Sequence, residues 1–235
     1  MSRETFTAPS ARRWLILAVT VLAQFMVILD IAVVNVALPS IKHDLHFSQS
    51  SLEWVITAYS ILFGGTLLLG GRLADLLGRR RLFLVGVTVF TISSLLSGLA
   101  WSEGSLIAFR GLQGLGGALL SPAALSIVVT TFPEGRERNT ALGIWGAASG
   151  SGGAAGVLLG GILTSYAGWS WIFFVNLPIG AAVLAATPLL IAEGRGALSH
   201  RHFDFAGAVS STGGLMLLAY GIARAATHGW ANATT

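Results

Sequence analysis

Between residues 139 and 192 the chain runs for 54 residues without one charged side chain. A helix rising 1.5 Å per residue needs only about 20 residues to cross ~30 Å of hydrocarbon, so this run is long enough for two crossings. Inside it, residues 164–171, with Gly168, Trp169 and Trp171, read as a hairpin turn with interfacial anchors. Shorter charge-free runs recur elsewhere: 14–29, prolonged by 31–38 beyond one acid, then 54–71, 82–102, 111–133 and 205–223. The total is seven predicted spans. They are expected to be helices, because a membrane strand alternates in polarity and is only about ten residues long.

Only 10% of the residues are charged, against about 25% in soluble proteins. The absence of cysteine excludes a disulfide framework, iron–sulfur clusters, thiol catalysis and cysteine-based zinc sites. A pI near 10.3 invites a nucleic-acid reading, but the positions of the charges answer it. Arg3, Arg12, Arg13, Arg72, Arg79, Arg80, Arg81, Arg136, Arg138, Arg195 and Arg201 all fall on one side of the predicted spans. The other side has Lys42, with Arg224 at the far end of the last span and Arg110 inside one. Basic loops stay in the cytoplasm, so a cytoplasmic N-terminus in a multi-pass plasma (inner) membrane protein is predicted, with no nucleic-acid partner. The first apolar run is too long for a cleaved signal peptide, and more spans follow. The expected organisation is an N-tail at 1–13, a six-helix bundle at 14–192, a cytoplasmic linker at 193–204, and a seventh helix with its outer end at 205–235.

Asp30 interrupts the first apolar run. Counted from Trp14 it lies ~24 Å along the helix, in the outer half of the membrane. A carboxylate there needs a partner, a wet cavity or a proton; the alternative is a helix that ends near Asp30 and leaves it at the interface. Arg110, six residues into the fourth span after Gly104, reaches a comparable depth and is the natural partner, unless it snorkels to the interface. Gln113, three residues on, shares its helix face. A buried pair of this kind gives a carboxylate whose protonation can respond to its surroundings.

Gly152, Gly156 and Gly160 form a GxxxGxxxG row suited to close helix packing. Gly150-x-Gly152-x-x-Ala155 also matches a degenerate dinucleotide fingerprint, but no strand precedes it and no acid follows at the required distance. His43-x-x-His46 and His200-x-His202 are read as solvated loop histidines, and no metal site is expected. There is no phosphate-binding loop and no nucleophile–base arrangement, so no catalytic residue is assigned. A retinal-type seven-helix protein is disfavoured because the sole lysine, Lys42, lies in an outer loop.

Four stretches, in order, resemble the major facilitator superfamily, specifically the N-terminal half of its fourteen-helix drug:proton antiporters. Leu29-Asp30 through Asn35-Val36-Ala37-Leu38-Pro39 is similar to the first-helix motif. Gly71-x-x-x-Asp75-x-x-Gly78-Arg79-Arg80 resembles the signature loop between helices two and three. Arg110-x-x-Gln113-Gly114-x-Gly116 resembles the fourth-helix motif. The glycine-rich fifth helix, followed by Trp171-Ile-Phe-Phe-Val-Asn176-Leu-Pro178-Ile-Gly180, resembles the antiporter motif and the start of the sixth helix. Val157 stands where the antiporter motif carries proline, which leaves export versus import open, and Leu76 replaces a usual basic residue.

The resemblance implies an all-α six-helix bundle plus a seventh helix, and export of small amphipathic compounds driven by the proton gradient, with no bound cofactor. Asp30, Asn35, Arg110 and Gln113 would couple protons and line the substrate cavity. Gly71, Asp75, Gly78, Arg79 and Arg80 would form a latch between two bundles. The expected partners are a small-molecule substrate, protons, the lipid bilayer and a second bundle absent from these 235 residues. The alternatives are a truncated fragment that transports nothing alone, and a uniporter or symporter of another substrate.

Overall fold

A computed structural model describes residues 10–193 and 205–228. The described chain is helical: α1 (Ser10–Asp44), α2 (Gln49–Leu52), α3 (Trp54–Leu77), α4 (Arg79–Gly98), α5 (Glu103–Thr131), α6 (Arg136–Tyr166), α7 (Trp171–Phe174), α8 (Asn176–Leu190) and α9 (Phe205–His228). Six helical stretches among the described residues are long and apolar enough to cross a membrane: α1, α2 with α3, α4, α5, α6, and α7 with α8. The 24-residue α9 follows where the seventh span was expected. Residues 1–9, most of the expected linker (194–204) with Arg195, His200, Arg201 and His202, and residues 229–235 lie outside the described residues.

The apolar runs mark the hydrocarbon, but the helices are longer. α1 has 35 residues, about 52 Å of helix, because once backbone bonding is complete a helix can continue into water with its charged side chains solvated. This corrects the expected loop between the second and third spans. α3 continues through Arg72 and Asp75 to Leu77, α4 starts at Arg79, and only Gly78 lies between them. Gly78 has φ +102°, left-handed territory that favours glycine. His43 likewise lies within the last turn of α1 rather than in a loop. At the opposite end of the bundle, α5 begins with a capping box: Ser102 Oγ accepts from the Ser105 N–H at 3.2 Å, and Ser105 Oγ from the Ser102 N–H at 3.0 Å. The α7–α8 joint has a sequence cause, since Pro178 has no N–H to give the Phe174 carbonyl one turn earlier.

α5 runs between α3 and α4, α6 lies along α1, α8 packs on α1 and α4, and α9 lies outside against α3. Glycines set the closest approaches. Gly114 faces the backbone of Tyr59 on α3, and Gly116 that of Phe90 on α4. Gly152, Gly156 and Gly160 are all buried against α1, the packing role expected of that row. A Cβ at Gly156 would stand 2.6 Å from that of Ala32 and 2.8 Å from the Leu29 carbonyl oxygen. The other side of α6 is open: nothing lies within 4 Å of a Cβ built at Gly146, Gly150 or Gly153.

Two large apolar clusters fill most of the bundle, and a smaller one joins Leu17, Val128, Phe132 and Ala141. Towards the arginine-rich end, Met26, Val27, Phe83, Phe90, Leu120 and Ala124 pack together. Towards the other, Leu29, Val33, Val34, Leu106, Ile172 and Phe173 do. Asp30 sits at the seam.

Gly156→Leu is expected to lower the thermal midpoint of the purified protein by forcing α6 off α1, at a cost on the order of 1–3 kcal/mol. Gly153→Leu, on the open face three residues earlier, should leave the midpoint unchanged, as read by fluorescence-detected size exclusion after heating.

Candidate functional site: a buried polar layer around Asp30

Asp30 is fully buried and Arg110 is 2% exposed. Neither the interfacial carboxylate nor the snorkelling arginine, the two alternatives open in the sequence, describes them. Arg110 Nη1 donates to Asp30 Oδ2 at 2.6 Å and to Gln113 Oε1 at 2.7 Å. Gln113 Nε2 donates to Asp30 Oδ1 at 2.8 Å, closing a triangle of side chains. The i,i+3 spacing of Arg110 and Gln113 on α5 makes this possible, because both project from one face towards α1. Arg110 Nε donates to the Val55 carbonyl at 3.3 Å, and the guanidinium carbon lies 4.3 Å from the centre of the Tyr59 ring. That cation–π contact supports a charge that water cannot reach. A buried ion pair persists only when its polar atoms find further partners, and here α3 receives Arg110 Nε while Gln113 of α5 bonds both Arg110 Nη1 and Asp30 Oδ1.

Three participants were not among the expected site residues. Asn176, the first residue of α8, donates from Nδ2 to Asp30 Oδ1 at 2.9 Å and to Ser94 Oγ at 2.9 Å. Ser94 on α4 in turn donates to the Phe173 carbonyl at 2.9 Å. Tyr59 on α3 is the third, with its hydroxyl buried and without a hydrogen-bond partner among the described residues. Asn176 had a signal, as the one amide in the apolar stretch that begins the sixth span. Ser94 and Tyr59 had none, since hydroxyls are common in membrane helices. Asn35, expected in the cavity, stands outside the cluster: it is exposed, and its Nδ2 donates to the Ile31 carbonyl at 2.7 Å.

The signature segment lies at the other end. Asp75 and Arg79 are 3.7 Å apart on successive turns across Gly78. Arg81 lies 3.6 Å from Glu193, just beyond α8, and the Glu193 carboxylate crowds the space where Gly78 would carry a side chain. Gly71 is inside α3, near Pro122 of α5, and Arg80 Nε is buried without a partner among the described residues. Arg13 of α1 pairs with Glu137 of α6 at 2.7 Å on the same side. Among the described residues no group of three His, Asp or Glu could hold a metal ion.

Residues 20–204 match the family described as Major Facilitator Superfamily. The chain belongs to the Major Facilitator Superfamily. It is 47% identical to the puromycin resistance protein pur8 of Streptomyces alboniger, over 94% of this chain and 44% of that protein. It is 46% identical to the cephamycin export protein CmcT of Amycolatopsis lactamdurans, over 98% of this chain and 46% of that one. The multidrug resistance protein Stp of Mycobacterium tuberculosis (strain CDC 1551 / Oshkosh) is 39% identical, over 94% and 41%. The chain thus spans about half the length of the relatives it matches. Among solved structures, the peptide transporter POT in complex with sulfate superposes with a TM-score of 0.70 at 18% identity, over 99% of this chain and 49% of that one. The fold is therefore the six-helix bundle of this superfamily with a seventh helix, in a multi-pass membrane protein.

Arg110→Met should destabilise the protein by about 3–5 kcal/mol, because it leaves the Asp30 carboxylate buried without its cation. The double variant Asp30→Asn/Arg110→Met is expected to recover much of that loss in thermal unfolding. Additive losses would contradict the pairing.

Proposed function

We propose that this chain forms the first of two bundles of a membrane transporter that exports small amphipathic compounds in exchange for protons. The observation that carries the reading is Asp30: a carboxyl at the seam of two apolar clusters, held by Arg110, Gln113 and Asn176. A proton entering from the acidic side would neutralise Asp30 and loosen its hold on Arg110. Loss of the proton to the other side would restore the pair. An isolated charge costs several kcal/mol at this depth, so the bundle geometry must follow the protonation state. Arg110 holds the Asp30 carboxylate through a charged hydrogen bond, and Gln113, bonded to both, keeps the two in register. No bound cofactor is needed on this reading; the proton gradient is the energy source.

The direction is drawn from relatives whose names state resistance or export. On the same reading the protein sits in the plasma membrane with its arginine-rich end and N-terminus in the cytoplasm. A second bundle, by analogy with relatives of twice this length, would supply the other wall of the substrate cavity and meet the segment from Gly71 to Arg81. α6, open along the side away from α1, is a long apolar surface on which that bundle could close. A lone copy of this chain would on that account carry no alternating-access transport.

The test is efflux of puromycin, the compound in one relative's name, from vesicles containing the two-bundle protein of this proposal, taken as the full-length protein, under an imposed pH gradient. Asp30→Asn should abolish gradient-driven efflux while leaving the protein folded. Efflux that persists and still follows the gradient would remove Asp30 as the proton carrier.

A further inference from the structure

Every hydrogen-bond partner of the Asp30 carboxyl is a donor. Oδ2 faces Arg110 Nη1, and Oδ1 faces both Gln113 Nε2 and Asn176 Nδ2. That suits a carboxylate. A proton added to either oxygen points at an N–H, so one of the three groups must become an acceptor. Arg110 cannot, because a guanidinium carries five N–H donors and no acceptor. Gln113 cannot turn its amide over: its Oε1 accepts from Arg110 Nη1 at 2.7 Å, and the turned amide would put N–H against N–H. Asn176 differs. Its Nδ2 serves Asp30 and Ser94, while its Oδ1 is buried with no partner among the described residues. Rotation of this amide gives up no bond on the Oδ1 side.

We propose that Asn176 is a positioning residue for the proton on Asp30: its amide turns over when the carboxyl is protonated and turns back when the proton leaves. One proton joins Asp30 Oδ1, and no other covalent bond forms or breaks. The Asn176 Nδ2 donation to Asp30 is replaced by an Asp30 O–H donation to Asn176 Oδ1. Ser94 passes the change on. Its hydroxyl now accepts from Asn176 and donates to the Phe173 carbonyl at 2.9 Å. After the turn it faces an acceptor, and donating to it releases the Phe173 carbonyl two residues before the α7–α8 joint. The freed NH2 turns away from Asp30. Ser97, one helical turn beyond Ser94 on α4, has a buried hydroxyl without a partner among the described residues.

The surroundings leave Asp30 to these groups. α5 contributes Arg110, and α3 contributes Tyr59, whose ring lies against that guanidinium. No charged side chain occurs within residues 82–98 of α4, 139–166 of α6, or 171–190 of α7 and α8. On α1, Asp30 is the only charged side chain between Trp14 and Ile41.

The inference rests on the proton-coupled reading only in that Asp30 takes up a proton. The test is infrared difference spectroscopy of the full-length protein in lipid, stepped from alkaline to acidic pH. The Asp30 carboxyl C=O band is assigned by its loss in Asp30→Asn. The band is expected to move to higher frequency in Asn176→Leu, where the acid O–H has lost its acceptor. It should stay in place in Asn176→Ser, whose hydroxyl can accept or donate. In the unchanged protein, asparagine labelled with 15N at the side-chain amide should show an amide band that changes with the Asp30 band. That change should be absent in both Asn176 variants. Gradient-driven efflux should fall about tenfold in Asn176→Leu, as expected for one lost buried hydrogen bond, and recover in Asn176→Ser. An Asp30 band unaltered by Asn176→Leu, or no labelled-amide change in the unchanged protein, overturns the role of Asn176 and leaves the proton-coupled reading standing. No Asp30 band at any pH overturns both.

Discussion

The ion pair between Asp30 and Arg110 is the constraint around which the bundle is arranged. Either charge alone at this depth would cost several kcal/mol, and the pair itself is tolerable only with its remaining polar atoms matched. That requirement draws groups from four helices, three of them beyond the two that carry the pair. α3 gives the Val55 carbonyl and the Tyr59 ring, α5 gives Gln113, α8 gives Asn176, and α4 gives the Ser94 hydroxyl that holds Asn176. The partners meet at hydrogen-bond distance only because the helices lie very close. Gly114 and Gly116 let α5 touch the backbones of α3 and α4, and Gly156 and Gly160 let α6 lie on α1. The glycines and the charges thus belong to one design, in which close packing makes a buried polar layer affordable.

Much of this was legible in the sequence, for a definite reason. A charge inside an apolar run is rare, so Asp30 and Arg110 announced themselves, and helical spacing carried Gln113 with Arg110. The glycine row on α6 declared its packing by period. What the sequence did not reveal depended on how helices meet. Ser94 and Tyr59 are unremarkable until α4 and α3 are placed around α5, and Asn176 reaches Asp30 only because the α7–α8 joint sets the start of α8 beside α1. Asn35 shows the converse: it shares a motif with Asp30, but five residues along a helix is about 500° of rotation, and its side chain falls outside the cluster.

Helix ends were the other blind spot. Apolar runs report where hydrocarbon begins, whereas a helix ends where its backbone bonding can be closed. The arginine-rich segment around Gly78 therefore reads as a loop in sequence and is almost wholly helical in structure, turned by a single residue with φ +102°. Its contacts within this bundle are also specific. Arg81 and Gly78 meet Glu193 at the end of the sixth crossing, which ties the α3–α4 turn to the chain leaving α8. The segment from Gly71 to Arg81 thus has a partner inside this bundle.

Proton-coupled export through Asp30 requires that its charge answer to substrate. The direct measurement is proton release from the full-length protein in weakly buffered detergent on addition of puromycin, followed with a pH-sensitive dye. A substrate-dependent release is expected that disappears in Asp30→Asn while puromycin binding persists. An equal release from Asp30→Asn would contradict proton coupling through Asp30.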